Sequence, residues 1–135
     1  MKLRSGFSII ELVIYIAIVG VLGSVGIYGF LKYYERSKVS ATKTTLTNVK
    51  QAIATYYIDT NKYPNSLDDL FVNPGVSGWQ GAYMDGDSVE DGFGNPLVYN
   101  PTPGQKNPYE LYSYGKNGPE GDSEGYISVW DSKKK

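Results

Sequence analysis

The sequence predicts an α+β fold, with one long N-terminal α-helix packed against a small antiparallel β-sheet and long loops between the elements. Three observations carry this reading. An apolar run from Phe7 to Leu31 passes, without a proline, into an apolar stripe at helical spacing that ends near Tyr57. Pro64 then prevents the helix from continuing. Beyond it, three short aromatic and β-branched segments stand between turns rich in Gly, Pro and Asn.

The run FSIIELVIYIAIVGVLGSVGIYGFL occupies Phe7 to Leu31. At 1.5 Å per residue it makes a helix of about 37 Å, enough to cross a bilayer core with some tilt. Its one charge, Glu11, lies near the start. A charge within lipid costs roughly 2.5–3.5 kcal/mol at mid-helix and usually marks a function, with a partner close by. Met1-Lys2-Leu3-Arg4-Ser5-Gly6 precedes the run. A secretory signal peptide places its small residue after the apolar region, whereas here Gly6 comes before it. A cut after Gly6 removes both cations, keeps the helix and creates a new amine at Phe7. That amine, on a neighbouring chain, is a candidate partner for Glu11; the plainer reading is an interfacial carboxylate that reaches water. Before the cut, Lys2 and Arg4 hold the helix start at the cytoplasmic face.

Gly20, Gly23, Gly26 and Gly29 recur at every third position, with Ser24 among them. Small residues let membrane helices approach closely, and each glycine lowers helix propensity by about 1 kcal/mol relative to alanine. The series reads either as packing positions or as a soft point in the helix. Lys32-Tyr33-Tyr34-Glu35-Arg36 suits a membrane interface. Val39, Thr42, Leu46, Val49, Ile53 and Tyr56 then recur at steps of 3, 4, 3, 4 and 3, with Lys43, Lys50 and Gln51 off the stripe. With no Pro or Gly after Gly29, both halves read as one helix from about Phe7 to Tyr57 or Ile58. The stripe is the face on which an outer domain packs; barely three heptads argue against a coiled coil.

Ser66 is a candidate N-cap for a short helix, with Asp69 three residues later. Asn73 to Gly94 reads as a long loop, and its acids Asp85, Asp87, Glu90 and Asp91 as an exposed cluster. Asp85-x-Asp87 begins like an EF-hand loop but fails, since Val89 and Glu90 occupy its fifth and sixth positions. Strands are predicted at Pro96–Asn100, Tyr109–Tyr114 and Tyr126–Trp130, laid across the Val39–Tyr56 stripe. Lys133-Lys134-Lys135 reads as a frayed tail. The expected organisation is a leader at 1–6, a membrane segment at 7–31 and one outer domain at 32–135.

The chain has 135 residues and a net charge of −1, so no general attraction to nucleic acid is implied. It contains no Cys and no His. That excludes disulfides and thiolate chemistry, and removes both the usual general base and the commonest zinc ligand. A membrane-anchored enzyme would need a carboxylate pair or a Ser-Lys arrangement, and no motif supports either. A membrane-anchored binding module is the other rival; it would keep Met1–Gly6.

Gly6-Phe7-Ser8-Ile9-Ile10-Glu11-Leu12 resembles the class III signal of type IV pilins and type II secretion pseudopilins. Downstream, Lys62-Tyr63-Pro64, Gly81-Ala82-Tyr83, Asp91-Gly92-Phe93-Gly94-Asn95-Pro96-Leu97-Val98-Tyr99 and Tyr109-Glu110-Leu111-Tyr112-Ser113-Tyr114-Gly115 resemble segments of the major pseudopilin. The resemblance implies a pilin fold and cleavage after Gly6 by a membrane prepilin peptidase, which methylates the Phe7 amine. It further implies assembly through Phe7 and Glu11 into a helical homo-oligomeric filament. The implied place is the bacterial inner membrane, single-pass, with the C-terminal domain in the periplasm. The implied partners are minor pseudopilins and the inner-membrane secretion platform. The work of such a filament is protein export across the outer membrane; the alternative is a type IV pilus pilin for adhesion or motility. The resemblance also implies a calcium site after the Ser-x-Gly turn, at the Tyr114 carbonyl, Asn117, Asp122 and Glu124. Asn117 and Glu124 stand where the family has Asp.

Overall fold

The structure is a computed structural model that describes residues 6–131. The Met1–Ser5 part of the expected leader and the Lys133–Lys135 tail lie outside the described residues. The chain divides at Arg36/Ser37 into two compact units. Helix α1 spans Ile9–Thr60. It ends two residues beyond the expected Ile58, and its end is built locally. Asn61 takes φ +56°, the left-handed conformation that Asn tolerates, and its N–H donates to the Tyr57 carbonyl at 2.8 Å. The Thr60 hydroxyl donates to the Tyr56 carbonyl at 2.8 Å and accepts from the Lys62 N–H at 3.3 Å.

In the first unit every side chain from Phe7 to Leu31 is exposed. In the second, the predicted stripe is the core face. Thr42, Leu46, Val49, Ile53 and Tyr56 are buried, Ala52 joins them, and Val39 at the margin is half-buried. Leu46, Val49, Ala52, Ile53 and Tyr56 pack with Leu70, Leu97, Tyr109 and Leu111 into one cluster. Burying each large apolar side chain is worth about 1.5–3 kcal/mol, so this cluster holds the outer domain together.

The sheet is antiparallel in the order β1-β2-β3, with β1 Val98–Pro101, β2 Tyr109–Ser113 and β3 Ile127–Ser128. Val98 pairs with Tyr112, Pro101 with Tyr109, and Ser113 with Ile127. In β2 Tyr109, Leu111 and Ser113 face inward while Glu110 is exposed, the alternation a one-sided sheet requires. β3 is shorter than the predicted Tyr126–Trp130. The Asp131 carboxylate accepts the Ser128 N–H at 3.1 Å and the Ser128 hydroxyl accepts the Trp130 N–H at 3.2 Å, which folds the strand end into a turn. β1 starts late because Pro96, which has no N–H, makes only an isolated bridge to Glu90.

The short helix predicted after Ser66 is a 3-10 helix, Leu67–Leu70. The Asp69 carboxylate accepts the N–H groups of Asn65 and Ser66 at 2.7 and 3.4 Å. The segment that follows holds no regular element, yet it is anchored. The Trp79 indole N–H donates to the Asp69 carbonyl at 3.1 Å, and the Tyr83 hydroxyl to the Asp59 carboxylate at 3.0 Å. Asp85, Asp87 and Glu90 are exposed as expected. Asp91 is not: it is 6% exposed, which corrects its assignment to an open acidic loop.

Candidate functional site

The start of α1 is formed by Gly6, Phe7, Ser8 and Glu11. Phe7 is 91% exposed and nothing lies within 4 Å of a Cβ placed on Gly6, so the backbone at the expected cleavage point is open. The Ser8 hydroxyl accepts the Ile10 N–H at 3.3 Å, and the Glu11 carboxylate accepts the Ser8 N–H at 2.8 Å. Ser8 thus caps the helix through the N–H two residues on, and Glu11 reaches back to the Ser8 N–H, satisfying donors that a helix start otherwise leaves open. The sequence carried that signal in Ser8-Ile9-Ile10-Glu11. The expectations for Glu11 were a second chain or water; the carboxylate also has a partner in its own backbone. One carboxylate oxygen, Oε2, takes this bond. Further along, α1 is unbroken through Gly20, Gly23, Gly26 and Gly29, and a Cβ on any of the four would meet nothing within 4 Å.

A second constellation lies where β2 ends. Asp91 Oδ1 accepts the N–H groups of Phe93 and Asn95 at 2.8 and 2.9 Å, and Oδ2 accepts the Ser113 hydroxyl. Ser113 Oγ in turn accepts the Gly115 N–H at 2.9 Å, and the Asn95 side-chain amide donates to the Gly115 carbonyl at 3.3 Å. Neighbouring Gly92 donates its N–H to the Thr42 hydroxyl at 3.0 Å. Its close approach to α1 needs glycine: an added Cβ would lie 2.3 Å from the Lys38 carbonyl oxygen. Sequence reasoning missed Asp91, Asn95 and Ser113. The available signal was Asp-Gly-x-Gly, in which Asp bonds the N–H two residues on.

The turn beyond Ser113 comprises two short 3-10 helices, Gly115–Asn117 and Ser123–Gly125, which touch each other. It brings the Tyr114 carbonyl and the Asn117 amide to the same place: a Cβ on Gly125 would lie 3.9 and 3.6 Å from them. Asn117, Asp122 and Glu124 are exposed. Calcium takes six to eight oxygens, and carboxylate, amide and carbonyl oxygens all serve. Among the described residues no three acidic side chains gather to hold a metal ion, and no buried side-chain nitrogen or oxygen lacks a partner.

An aromatic row lies across the inner face of the sheet. Tyr57 stacks on Tyr63 with ring centres 4.5 Å apart, and Tyr63, Tyr99 and Trp130 lie within 5.2–5.6 Å of Tyr109. The Tyr99 hydroxyl donates to the Pro64 carbonyl at 2.8 Å. Burial, with neighbouring Tyr63 adding to it, pushes the Tyr109 hydroxyl up to about 12. Burial also raises Tyr99, with Tyr109 beside it contributing.

A family model described as type II secretion system (T2SS), protein G, matches residues 29–130. The chain is 31% identical to the type II secretion system core protein G of Xanthomonas campestris pv. campestris, over 89% of this chain and 84% of that one. It is 30% identical to the core protein G of Pseudomonas aeruginosa, over 96% of each chain. In fold it is similar to the major pseudopilin of the type 2 secretion system of enterohaemorrhagic Escherichia coli. The TM-score is 0.62 at 19% identity, covering 74% of this chain and 88% of that chain.

Proposed function

We propose, from the premise that the chain belongs to the type II secretion system protein G family, that it is the structural subunit of a periplasmic pseudopilus whose growth drives protein export across the outer membrane. The observation that carries this reading is the division along α1. Its residues from Thr42 to Tyr56 build the core of the outer domain, while its side chains up to Leu31 are exposed and, Glu11 and Ser24 apart, apolar. A helix of that kind needs lipid before assembly and the helices of other copies after it.

In this reading the chain is a single-pass protein of the inner membrane with its outer domain in the periplasm. Prepilin peptidase cuts after Gly6 and methylates the amine of Phe7. That ammonium then pairs with Glu11 of an adjacent subunit, through the carboxylate oxygen that Ser8 leaves open. Minor pseudopilins and the inner-membrane platform complete the machine. Deletion of the gene tests the function: secretion is lost, surface pili remain, and a plasmid copy restores export. Loss of surface piliation with secretion intact would assign the chain to a type IV pilus instead.

A further inference from the structure

We infer that the groove between α1 and the C-terminal segment of the outer domain receives the acidic loop at 85–90 of a second copy of this chain. The inference rests on the filament reading and names a contact within it. Its origin is a segregation of charge along the sequence. Over residues 37–58 the helix carries Lys38, Lys43 and Lys50 and no acid. Residues 63–105 carry Asp68, Asp69, Asp85, Asp87, Glu90 and Asp91 and no Lys or Arg. Of these acids, Asp85, Asp87 and Glu90 stand exposed on one loop.

The groove has a volume of about 1200 Å³. That exceeds the roughly 300–1,000 Å³ of a small-molecule pocket and gives room for a loop of another chain. Val39 and Lys43 line it from α1, and Val129 and Trp130 from the C-terminal segment, with Phe93 and Lys116. Lys43 is exposed. Lys50 Nζ lies 4.3 Å from the centre of the Trp130 ring, and Lys38 Nζ 5.7 Å from that of Phe93. A ring covers one side of an ammonium and leaves N–H donors for a carboxylate. Glu124 and Asp131 also face the groove, but the Asp131 carboxylate is engaged by the Ser128 N–H at 3.1 Å. The balance at the groove is therefore cationic.

The loop and the groove border different strands. Glu90 bridges to Pro96 and the Val89 carbonyl accepts the Leu97 N–H at 3.4 Å, so the loop runs beside the approach to β1. Ile127 and Ser128 of β3 line the groove, and β2 stands between β1 and β3. Among the described residues no ion pair joins Asp85, Asp87 or Glu90 to Lys43 or Lys50. Complementary patches on different surfaces of one chain join copies head to tail, and such contacts build open helical filaments when the rotation does not close. Opposite charge across the contact would also fix its register.

The test expresses the full chain and measures sheared filament yield for the natural protein, Lys43→Glu and Asp87→Lys. Each variant alone is expected to lose about tenfold or more, because like charges then meet across the contact. Both positions are exposed, so the thermal midpoints should stay at the natural value. The two variants expressed together are expected to recover most of the yield. In alternation, every groove then meets a loop of opposite charge. Recovery in the mixture also shows that both variants fold. Full yield from either variant alone would overturn the inference and leave the filament reading standing. So would a mixture no better than its parts, even if one chain carrying both changes recovered, since the pair would then lie within a chain. Normal filaments with export lost would give the groove to an acidic exported protein and overturn the inference too. A natural chain that forms no filament would remove the filament reading itself, and this contact with it.

Discussion

The Glu11 carboxylate accepts a hydrogen bond from the backbone N–H of Ser8, 2.8 Å away, so the one acid in the apolar run caps the helix that carries it. In the proposed filament Glu11 takes a second partner, the Phe7 ammonium of another copy. The two roles separate by mutation. Ser8→Ala removes half of the cap, costs the helix start about 0.5–2 kcal/mol and leaves filaments forming. Glu11→Ala removes the charge pair as well; truncating one partner of a buried pair costs about 2–5 kcal/mol, so filament yield falls by roughly tenfold or more. Sheared filament fractions, quantified by immunoblot against total membrane protein, give the comparison. Equal yields from the two variants would count against the pair.

The core of the outer domain should respond as a packed interior does. Leu46 is 2% exposed and Ile53 fully buried. Leu46→Ala and Ile53→Ala are each expected to lower unfolding free energy by about 2–5 kcal/mol, with an exposed change such as Asp87→Ala within about 0.5 kcal/mol of the natural chain. Urea unfolding followed by tryptophan fluorescence measures both.

The longest loop should prove sensitive at one glycine. Gly92 lies against the Lys38 carbonyl and donates to Thr42. Gly92→Ala has to push the loop off the helix, and a loss of about 1–3 kcal/mol is expected. Thr42→Val, which keeps the shape and removes the hydroxyl, should cost about 0.5–1.5 kcal/mol through the lost bond to Gly92. Midpoints of thermal unfolding rank the two.

Alkaline pH should weaken the domain through its buried tyrosines. Burial raises Tyr99 and pushes Tyr109 up to about 12 from the ordinary 10.0. Their neutral forms are favoured in the folded state, so the stabilisation is fully present below pH 10. It is lost as pH rises from 10 through about 12, where the unfolded chain binds fewer protons. Unfolding midpoints are expected to fall across that window. Tyr99→Phe should fall less steeply there, at the cost of the bond to Pro64, about 0.5–1.5 kcal/mol at neutral pH. A flat midpoint from pH 10 to 12 in the natural chain would contradict this.

The long helix and its core face were legible because they are periodic. A spacing of three and four repeated from Val39 to Tyr56 leaves little choice of face, and the structure buries Thr42, Leu46, Val49, Ile53 and Tyr56. The sheet was legible in its three strands and their antiparallel pairing, less so in the strand ends. β3 is cut short by the side chains of Ser128 and Asp131, which compete with the ladder for backbone N–H groups. Asp91 was not legible as a buried hub, because its partner Ser113 is 22 residues away and only the folded chain joins them. At the helix start the reverse holds: Ser8 and Glu11 stand three residues apart, so their bond is local and written in the spacing Ser-x-x-Glu.

In the proposed filament Phe7 and Glu11 of different copies meet when the subunits assemble. The measurement that reaches it most directly is a cryo-EM reconstruction of the filament, resolving side chains at the helix start. The expected result is a chain that begins at Phe7, its amine within about 2.7–2.9 Å of a Glu11 carboxylate oxygen on a neighbouring subunit. A filament in which Glu11 bonds only Ser8 of its own chain, with the Phe7 amine elsewhere, would contradict it.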